Sequence, residues 1–160
     1  MNIEDLNRLP QAEFVQRVGW IFEGSPWVAE RAWGHGPFAS IDALHAAMVA
    51  EVEHASPDEQ LALLRAHPDL GARAKMSSAS VSEQSGAGLD HLTAEEYTEL
   101  LRLNSGYRDE FGFPFLLAVK GLTKNDILKS LRERASGARE EEFRIALEQV
   151  FRIARFRLEA

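Results

Sequence analysis

The sequence predicts an all-α fold, a compact helical bundle of about seven to eight helices, and three observations support this class. Helix start signals recur at short intervals along the 160 residues. Apolar side chains return every three or four positions, the spacing that places them on one face of a helix. Strand signals are weak, because only Leu116 to Val119 could form a short extended piece. A chain of this length is expected to form a single domain over residues 1–160.

Helix start signals stand at three places. Ser25-Pro26 and Ser56-Pro57 each put a hydroxyl at the N-cap and proline at the first helical position. Ser56 with Glu59, and likewise Thr93 with Glu96, has the spacing of a capping box. The apolar stripes are Phe14, Val18 and Phe22; Ile41, Leu44, Met48 and Val52; Tyr97, Leu100 and Leu101; and Phe143, Leu147 and Val150. Loops are predicted at Gly34 to Ala39, Met76 to Ser82 and Gly112 to Gly121.

Composition excludes several function classes. The net charge of -7 would repel phosphate backbones and anionic membrane surfaces, so neither nucleic acid nor a membrane is an expected partner. The absence of cysteine removes disulfides, thiol nucleophiles and Cys-rich zinc sites, and it suits a reducing compartment. Neither a secretory signal nor a membrane-spanning apolar run is visible. We therefore expect a cytoplasmic protein.

A histidine at a proline-stopped helix end is the first candidate for chemistry. Pro68 disfavours helical geometry at the preceding residue, so His67 is expected to lie at a helix exit. The partial negative charge of a helix C-terminus favours imidazolium, which would poise this side chain for acid/base work near neutral pH. In the alternative interpretation, His67 only caps the last carbonyls of its helix.

The segment after the serine-rich loop has two interpretations. Ser80 and Glu83 have capping-box spacing, and in such a box both side chains would bind backbone amides. Against this, Gly86 and Gly88 weaken a helix and flank Ala87, which leaves small side chains where a compact ligand could approach the backbone. The residues alone leave both interpretations open.

Two polar residues occupy positions of the predicted apolar stripes. Asn104 continues the stripe of Tyr97, and a buried amide there is expected to bind a nearby loop or to hold the turn at Gly112–Phe115. The phenylalanines of that turn are expected in the core, while its glycine and proline imply a non-helical backbone whose amides could face a ligand. Arg157 falls on the stripe of the last helix, and it needs an anionic partner if it is buried; otherwise it is a solvated arginine at a frayed end.

Metal and phosphate motifs are missing. Four other histidines lack metal-ligand spacing: His35, His45, His54 and His91. No glycine-rich phosphate loop, G-x-S-x-G elbow or dinucleotide fingerprint is present. We therefore expect no metal site.

Taken together, five strings resemble the OHCU (2-oxo-4-hydroxy-4-carboxy-5-ureidoimidazoline) decarboxylase family. They are Ser25–Glu30, His67–Leu70, Ser80-x-x-Glu83-Gln84, Ala87–Leu89 and Asn104–Phe115. Each is weak alone, but their joint order and spacing are specific. The resemblance runs from about the first helix to the last, with one departure at Gly71-Ala72, where the family more often has the reverse order.

The resemblance implies a carboxy-lyase of urate degradation. Such an enzyme converts its ureidoimidazoline substrate to (S)-allantoin without a cofactor, and it is often a homodimer. His67 and Glu83 would be the catalytic pair. The substrate-binding residues that the resemblance implies are Pro68, Ser80, Gln84, Phe115, Leu116 and Arg157. Arg155 is the alternative to Arg157, and Asn104 with Phe113-Pro114 would support the site.

Two rival functions remain open at this point. Metal-assisted hydrolysis of a ureide would use His67, Asp69 and Glu83 as ligands. A helical binding or scaffold protein would use every polar residue named above as a cap or a core hydrogen bond.

Overall fold

A computed structural model of the chain describes residues 1–71 and 78–160, apart from the side chains of residues 78 and 80–82. Within these residues the secondary structure is helical and contains no strand, which confirms the all-α prediction. The elements are α1 (Ile3–Asn7), α2 (Gln11–Val18), a 3₁₀ turn (Gly19–Ile21), α3 (Trp27–Trp33), α4 (Ile41–Glu53), α5 (Pro57–Arg65), α6 (Ser78–Gly86), α7 (Ala94–Phe111), α8 (Lys124–Arg134) and α9 (Arg139–Glu159). The nine α-helices in this part of the chain slightly exceed the predicted seven to eight.

Residue contacts group the chain into two compact units. The first unit comprises Met1–Ala66 and Phe151–Ala160, and the second comprises His67–Val150. Helix α9 contributes residues to both units. The expectation of a single domain over residues 1–160 stays a prediction.

The capping boxes form as predicted. At the start of α5 the Glu59 N–H donates to Ser56 Oγ over 3.1 Å, and the Ser56 N–H donates to the Glu59 carboxylate, also over 3.1 Å. Thr93 and Glu96 repeat this exchange at the start of α7, at 3.1 and 2.9 Å. Each such cap stabilises a helix by about 1 kcal/mol. The prediction at Ser25-Pro26 was wrong by one residue, because Pro26 itself is the cap and α3 begins at Trp27.

The apolar stripes of the first unit are confirmed except at Ile41, which is only half-buried. The buried members on α2 and α4 are Phe14, Val18, Leu44, Met48 and Val52. On each helix they recur at four-residue spacing, so each helix buries one continuous face.

In the second unit the predicted stripes on α7 and α9 were partly wrong. Tyr97 and Leu101 are each 46% exposed, and the buried face of α7 consists instead of Leu100, Asn104, Tyr107 and Phe111. On α9 the buried residues include Ala146 and Val150, whereas Phe143 and Leu147 are half-buried. The prediction counted only large apolar residues and therefore overlooked the buried alanine Ala146 on α9.

Two of the three predicted loops are confirmed. Gly34–Ala39 joins α3 to α4, and Gly112–Gly121 joins α7 to α8. Gly112 ends α7 with a φ of 80°, a left-handed conformation that glycine adopts without strain. The prediction at Met76–Ser82 was wrong from Ser78 onward, where α6 begins, and residues 76 and 77 lie outside the described residues. Serine is tolerated in helices, so its abundance did not prevent one from forming.

The loop after α7 packs its aromatic residues into the core of the second unit, as expected. Ring centroids lie 4.4 Å apart for Tyr107 and Phe111, and 5.4 Å apart for Tyr107 and Phe115. Phe113 lies 6.0 Å from Tyr107 and is fully buried. No helix among the described residues is both long and apolar enough to cross a bilayer.

Candidate functional site

His67 lies at a helix exit, as its proline neighbour predicted. Helix α5 ends at Arg65, Ala66 is its C-cap, and His67 follows directly. The His67 side chain belongs to a residue that is only 5% exposed. It is therefore largely shielded from water, a setting in which hydrogen bonds and charges act more strongly than at the surface.

The loop that carries His67 is bonded to the helix that carries Glu83. We call residues His67–Gly71 the His67 loop. Gly71 has a φ of +85°, and its N–H donates to the side-chain Oε1 of Gln84 over 2.7 Å. Gln84 is buried and directly follows Glu83 in α6. The second unit therefore contains both members of the expected catalytic pair, on segments joined by a direct hydrogen bond.

Helix α7 supplies two further bonds to the His67 loop. Asn104 Nδ2 donates to the Leu70 carbonyl over 3.0 Å, and both residues are buried. The Arg108 guanidinium donates to the Asp69 carboxylate over 2.7 Å in a partly exposed ion pair. The expectation that Asn104 binds a nearby loop is thus confirmed. Three consecutive residues of the loop are held by side chains of two helices, which fixes the backbone that follows His67.

The start of α6 bears on the capping-box interpretation of Ser80 and Glu83. The helix begins at Ser78, so Ser80 lies inside it and is not its N-cap. The capping-box interpretation was therefore wrong. Glu83 is half-buried on the second turn of this helix, while the side chain of Ser80 lies outside the described residues.

The loop after α7 contributes buried residues to the second unit. Phe115 and Leu116 are 1% and 4% exposed. Arg134, which sequence reasoning missed, donates from Nη1 to the Leu116 carbonyl over 2.7 Å. Tyr107 donates from its hydroxyl to Glu142 over 2.7 Å, and burial together with this bond raises the pKa of the Tyr107 phenol. The phenol therefore stays neutral and remains a donor.

Arg157 is buried in the first unit and has an anionic partner. Its Nη2 donates to the Glu23 carboxylate over 2.9 Å, and both side chains are nearly inaccessible. Its Nη1 donates to the Trp20 carbonyl over 3.1 Å and more weakly to the Ile21 carbonyl at 3.4 Å. The interpretation of Arg157 as a solvated arginine was therefore wrong.

Glu23 is the residue of this group that sequence reasoning missed. The feature of the sequence that could have identified Glu23 is its position directly after Phe22, a member of an apolar stripe that is buried in the structure. The alternative arginine, Arg155, instead forms partly exposed ion pairs with Glu159 and Asp42. The two arginines therefore differ in burial: Arg157 is buried, whereas Arg155 is partly exposed.

The expected site residues divide between the units. His67, Pro68, Glu83 and Gln84 belong to the second unit together with the Phe115 and Leu116 backbone, and Arg157 belongs to the first. No group of three His, Asp or Glu side chains among the described residues is placed to hold a metal ion. Asp69, a ligand in the metal-hydrolase interpretation, is engaged by Arg108.

Comparison with known proteins identifies the family of the chain. The model of the OHCU decarboxylase family matches residues 7–159. The chain belongs to the OHCU decarboxylase family. The resemblance carried by the five strings is thereby confirmed.

Members of the OHCU decarboxylase family include named relatives that match nearly all of this chain. A 2-oxo-4-hydroxy-4-carboxy-5-ureidoimidazoline decarboxylase from Halalkalicoccus jeotgali is 47% identical over 99% of this chain and 90% of its own length. A crystal structure of an (S)-allantoin synthase is 38% identical, with a TM-score of 0.83, over 99% of this chain; this chain spans 53% of that one. An OHCU decarboxylase crystallised in the presence of (S)-allantoin is 28% identical, with a TM-score of 0.72, over 86% of this chain and 92% of its own.

Proposed function

We propose that this chain decarboxylates 2-oxo-4-hydroxy-4-carboxy-5-ureidoimidazoline to (S)-allantoin in urate degradation. Membership of the family over residues 7–159 and a 47% identical relative of that name support the activity. The 2.7 Å bond from Gly71 to Gln84 is the structural observation that carries the site, because it ties the loop of His67 to the helix of Glu83.

The chemistry needs few groups. The bond between the hydroxyl-bearing ring carbon and its carboxylate breaks and carbon dioxide leaves. The electron pair passes into the adjacent C=N bond of the imidazoline ring, whose nitrogen takes up a proton, and this leaves a ring C=C bond that carries the hydroxyl group. A proton delivered to one face of the ureido-bearing carbon, while the hydroxyl group loses its proton and becomes a carbonyl, then gives a single stereoisomer. Because the substrate is its own electron sink, we propose that the reaction requires no cofactor. The protein has to orient the carboxylate, stabilise the oxyanion and deliver the proton.

The proposed roles follow from side-chain chemistry. His67, as imidazolium, polarises or protonates the enolate system, and Glu83 contacts the substrate hydroxyl and steers the scissile bond. Arg157 binds an anionic or carbonyl oxygen, for which a guanidinium is well suited. The remaining proposed contacts come from Pro68, Ser80, Gln84 and the backbone of Phe115 and Leu116.

The proposal also includes the enzyme class, the domain organisation, the oligomeric state, the location and the partners. We propose a carboxy-lyase with a single domain over residues 1–160, which acts as a homodimer. The absence of cysteine supports a cytoplasmic location. The net charge of -7 argues against nucleic acid and anionic membranes as partners.

The test generates the unstable substrate in place with urate oxidase and the hydrolase that follows it, and records optical activity as allantoin forms. We expect a rapid signal of one handedness with this protein, release of carbon dioxide, and rates that survive thorough removal of metal. A signal no faster than the protein-free reaction would refute the decarboxylase. Metal-dependent turnover without carbon dioxide would instead identify a hydrolase.

A further inference from the structure

One guanidinium in the second unit bonds to several elements at once. Arg134, at the end of α8, donates from Nε to Glu142 over 2.9 Å and from Nη1 to the Leu116 carbonyl over 2.7 Å. Its Nη2 lies 3.5 Å from the Tyr107 hydroxyl, and its guanidinium carbon lies 4.4 Å from the centroid of the Phe115 ring. The Arg134 and Glu142 side chains are only 13% and 3% exposed, so this ion pair is held away from water.

A second side chain fixes the same stretch of backbone. The Ala118 N–H donates to Gln149 Oε1 over 2.9 Å, and Gln149 lies on α9. Arg134 and Gln149 therefore hold this backbone at Leu116 and at Ala118.

The residues that alternate with Leu116 and Ala118 have backbone groups that form no hydrogen bond inside the described part of the chain. No residue there forms a hydrogen bond with the N–H or C=O of Phe115 or of Leu117. Phe115 is only 1% exposed, and buried backbone groups in proteins are nearly always paired. Backbone N–H and C=O groups of this kind can bind a ligand that has both acceptors and donors. A cyclic ureide has carbonyl oxygens and N–H groups.

We propose that Arg134 and Gln149 are positioning residues, which fix the backbone between Leu116 and Ala118 so that the groups of Phe115 and Leu117 bind the ureide part of the substrate. This inference rests on the proposed function. Arginine suits the task because its donors point in fixed directions within one plane. A lysine at the same place keeps the charge beside Glu142 but cannot hold the Leu116 carbonyl at the same time.

The test separates substrate binding from folding. In Arg134→Lys and in Gln149→Met we expect KM to rise about tenfold while kcat stays within about twofold of the wild-type value, because uniform binding is lost. A tenfold change corresponds to about 1.4 kcal/mol, the size of one hydrogen bond. A merely structural role would lower the active fraction, and hence the apparent kcat, without changing KM. If Arg134→Lys does not fold, Gln149→Met decides the question.

Two variants serve as matched controls. Tyr107→Phe removes a contact of the same network but leaves the Arg134 bond to Leu116, so it should lower the thermal midpoint without raising KM. Arg132→Lys alters an exposed arginine on the same helix, which pairs with Glu99. Wild-type KM values in both positioning variants, with active wild-type protein, would refute this inference alone. An inactive wild-type protein would refute the proposed function together with it.

Discussion

Replacing the buried Arg157 in the first unit with an uncharged residue should strongly destabilise the protein. In Arg157→Met the Glu23 carboxylate loses its charged partner in a place where both side chains are less than a tenth exposed. Two backbone carbonyls, those of Trp20 and Ile21, lose a donor as well. The replacement fills a similar volume, so the loss reflects the charge rather than a cavity.

The magnitude follows from the burial of the pair. Removing one partner of a buried ion pair costs about 3–5 kcal/mol, because the other charge stays behind without compensation. For a protein of this size each kcal/mol lowers the thermal midpoint by roughly 2–4 °C, so Arg157→Met should unfold roughly 6–20 °C lower. Removing both charges in Glu23→Met/Arg157→Met should restore part of this loss, since no charge is then left buried alone.

The assay is a double-mutant cycle measured by urea unfolding at neutral pH. The exposed Arg155 provides the matched control, and Arg155→Met should cost less than about 1 kcal/mol. Two results would refute the reasoning: an Arg157→Met protein as stable as the Arg155→Met control, or a double variant whose loss equals the sum of the two single losses.

Three further outcomes are expected. Gly71→Ala should lose about 1–2 kcal/mol of unfolding free energy in a urea titration, because an L side chain is strained at a φ of +85°. The bond from Arg31 lowers the pKa of Glu59 to about 2 from 4.5, so the stabilisation is present above pH 4.5 and is lost as the pH falls towards 2. Glu59→Gln should therefore flatten the fall in stability over that range. Asn104→Leu should lower kcat/KM about tenfold with little change in stability, since the lost bond to the His67 loop is offset by removing a buried amide oxygen that has no donor among the described residues.

The features predicted correctly from sequence depend on neighbours in the chain. A capping box needs only Ser56 and Glu59, and the helix exit at His67 follows from Pro68. These rules act within four residues, so no knowledge of the fold is needed to apply them.

The features that sequence reasoning missed depend on contacts between distant residues. Glu23 and Arg157 are separated by 134 positions, and nothing near either residue identifies the other. Arg134 reaches the Leu116 carbonyl across 18 positions, and a backbone acceptor carries no sequence signal. The interpretation of Ser80 failed for a local reason, because the serines around it allow more than one helix start.

Rates of allantoin formation by His67→Asn, Glu83→Gln and the double variant test the central claim most directly. If the two side chains act on one substrate at one site, each single change should slow turnover by about 10²–10⁴-fold, and the double variant should be little slower than the slower single variant. Near-normal rates in both single variants, with the protein still folded, would contradict the account.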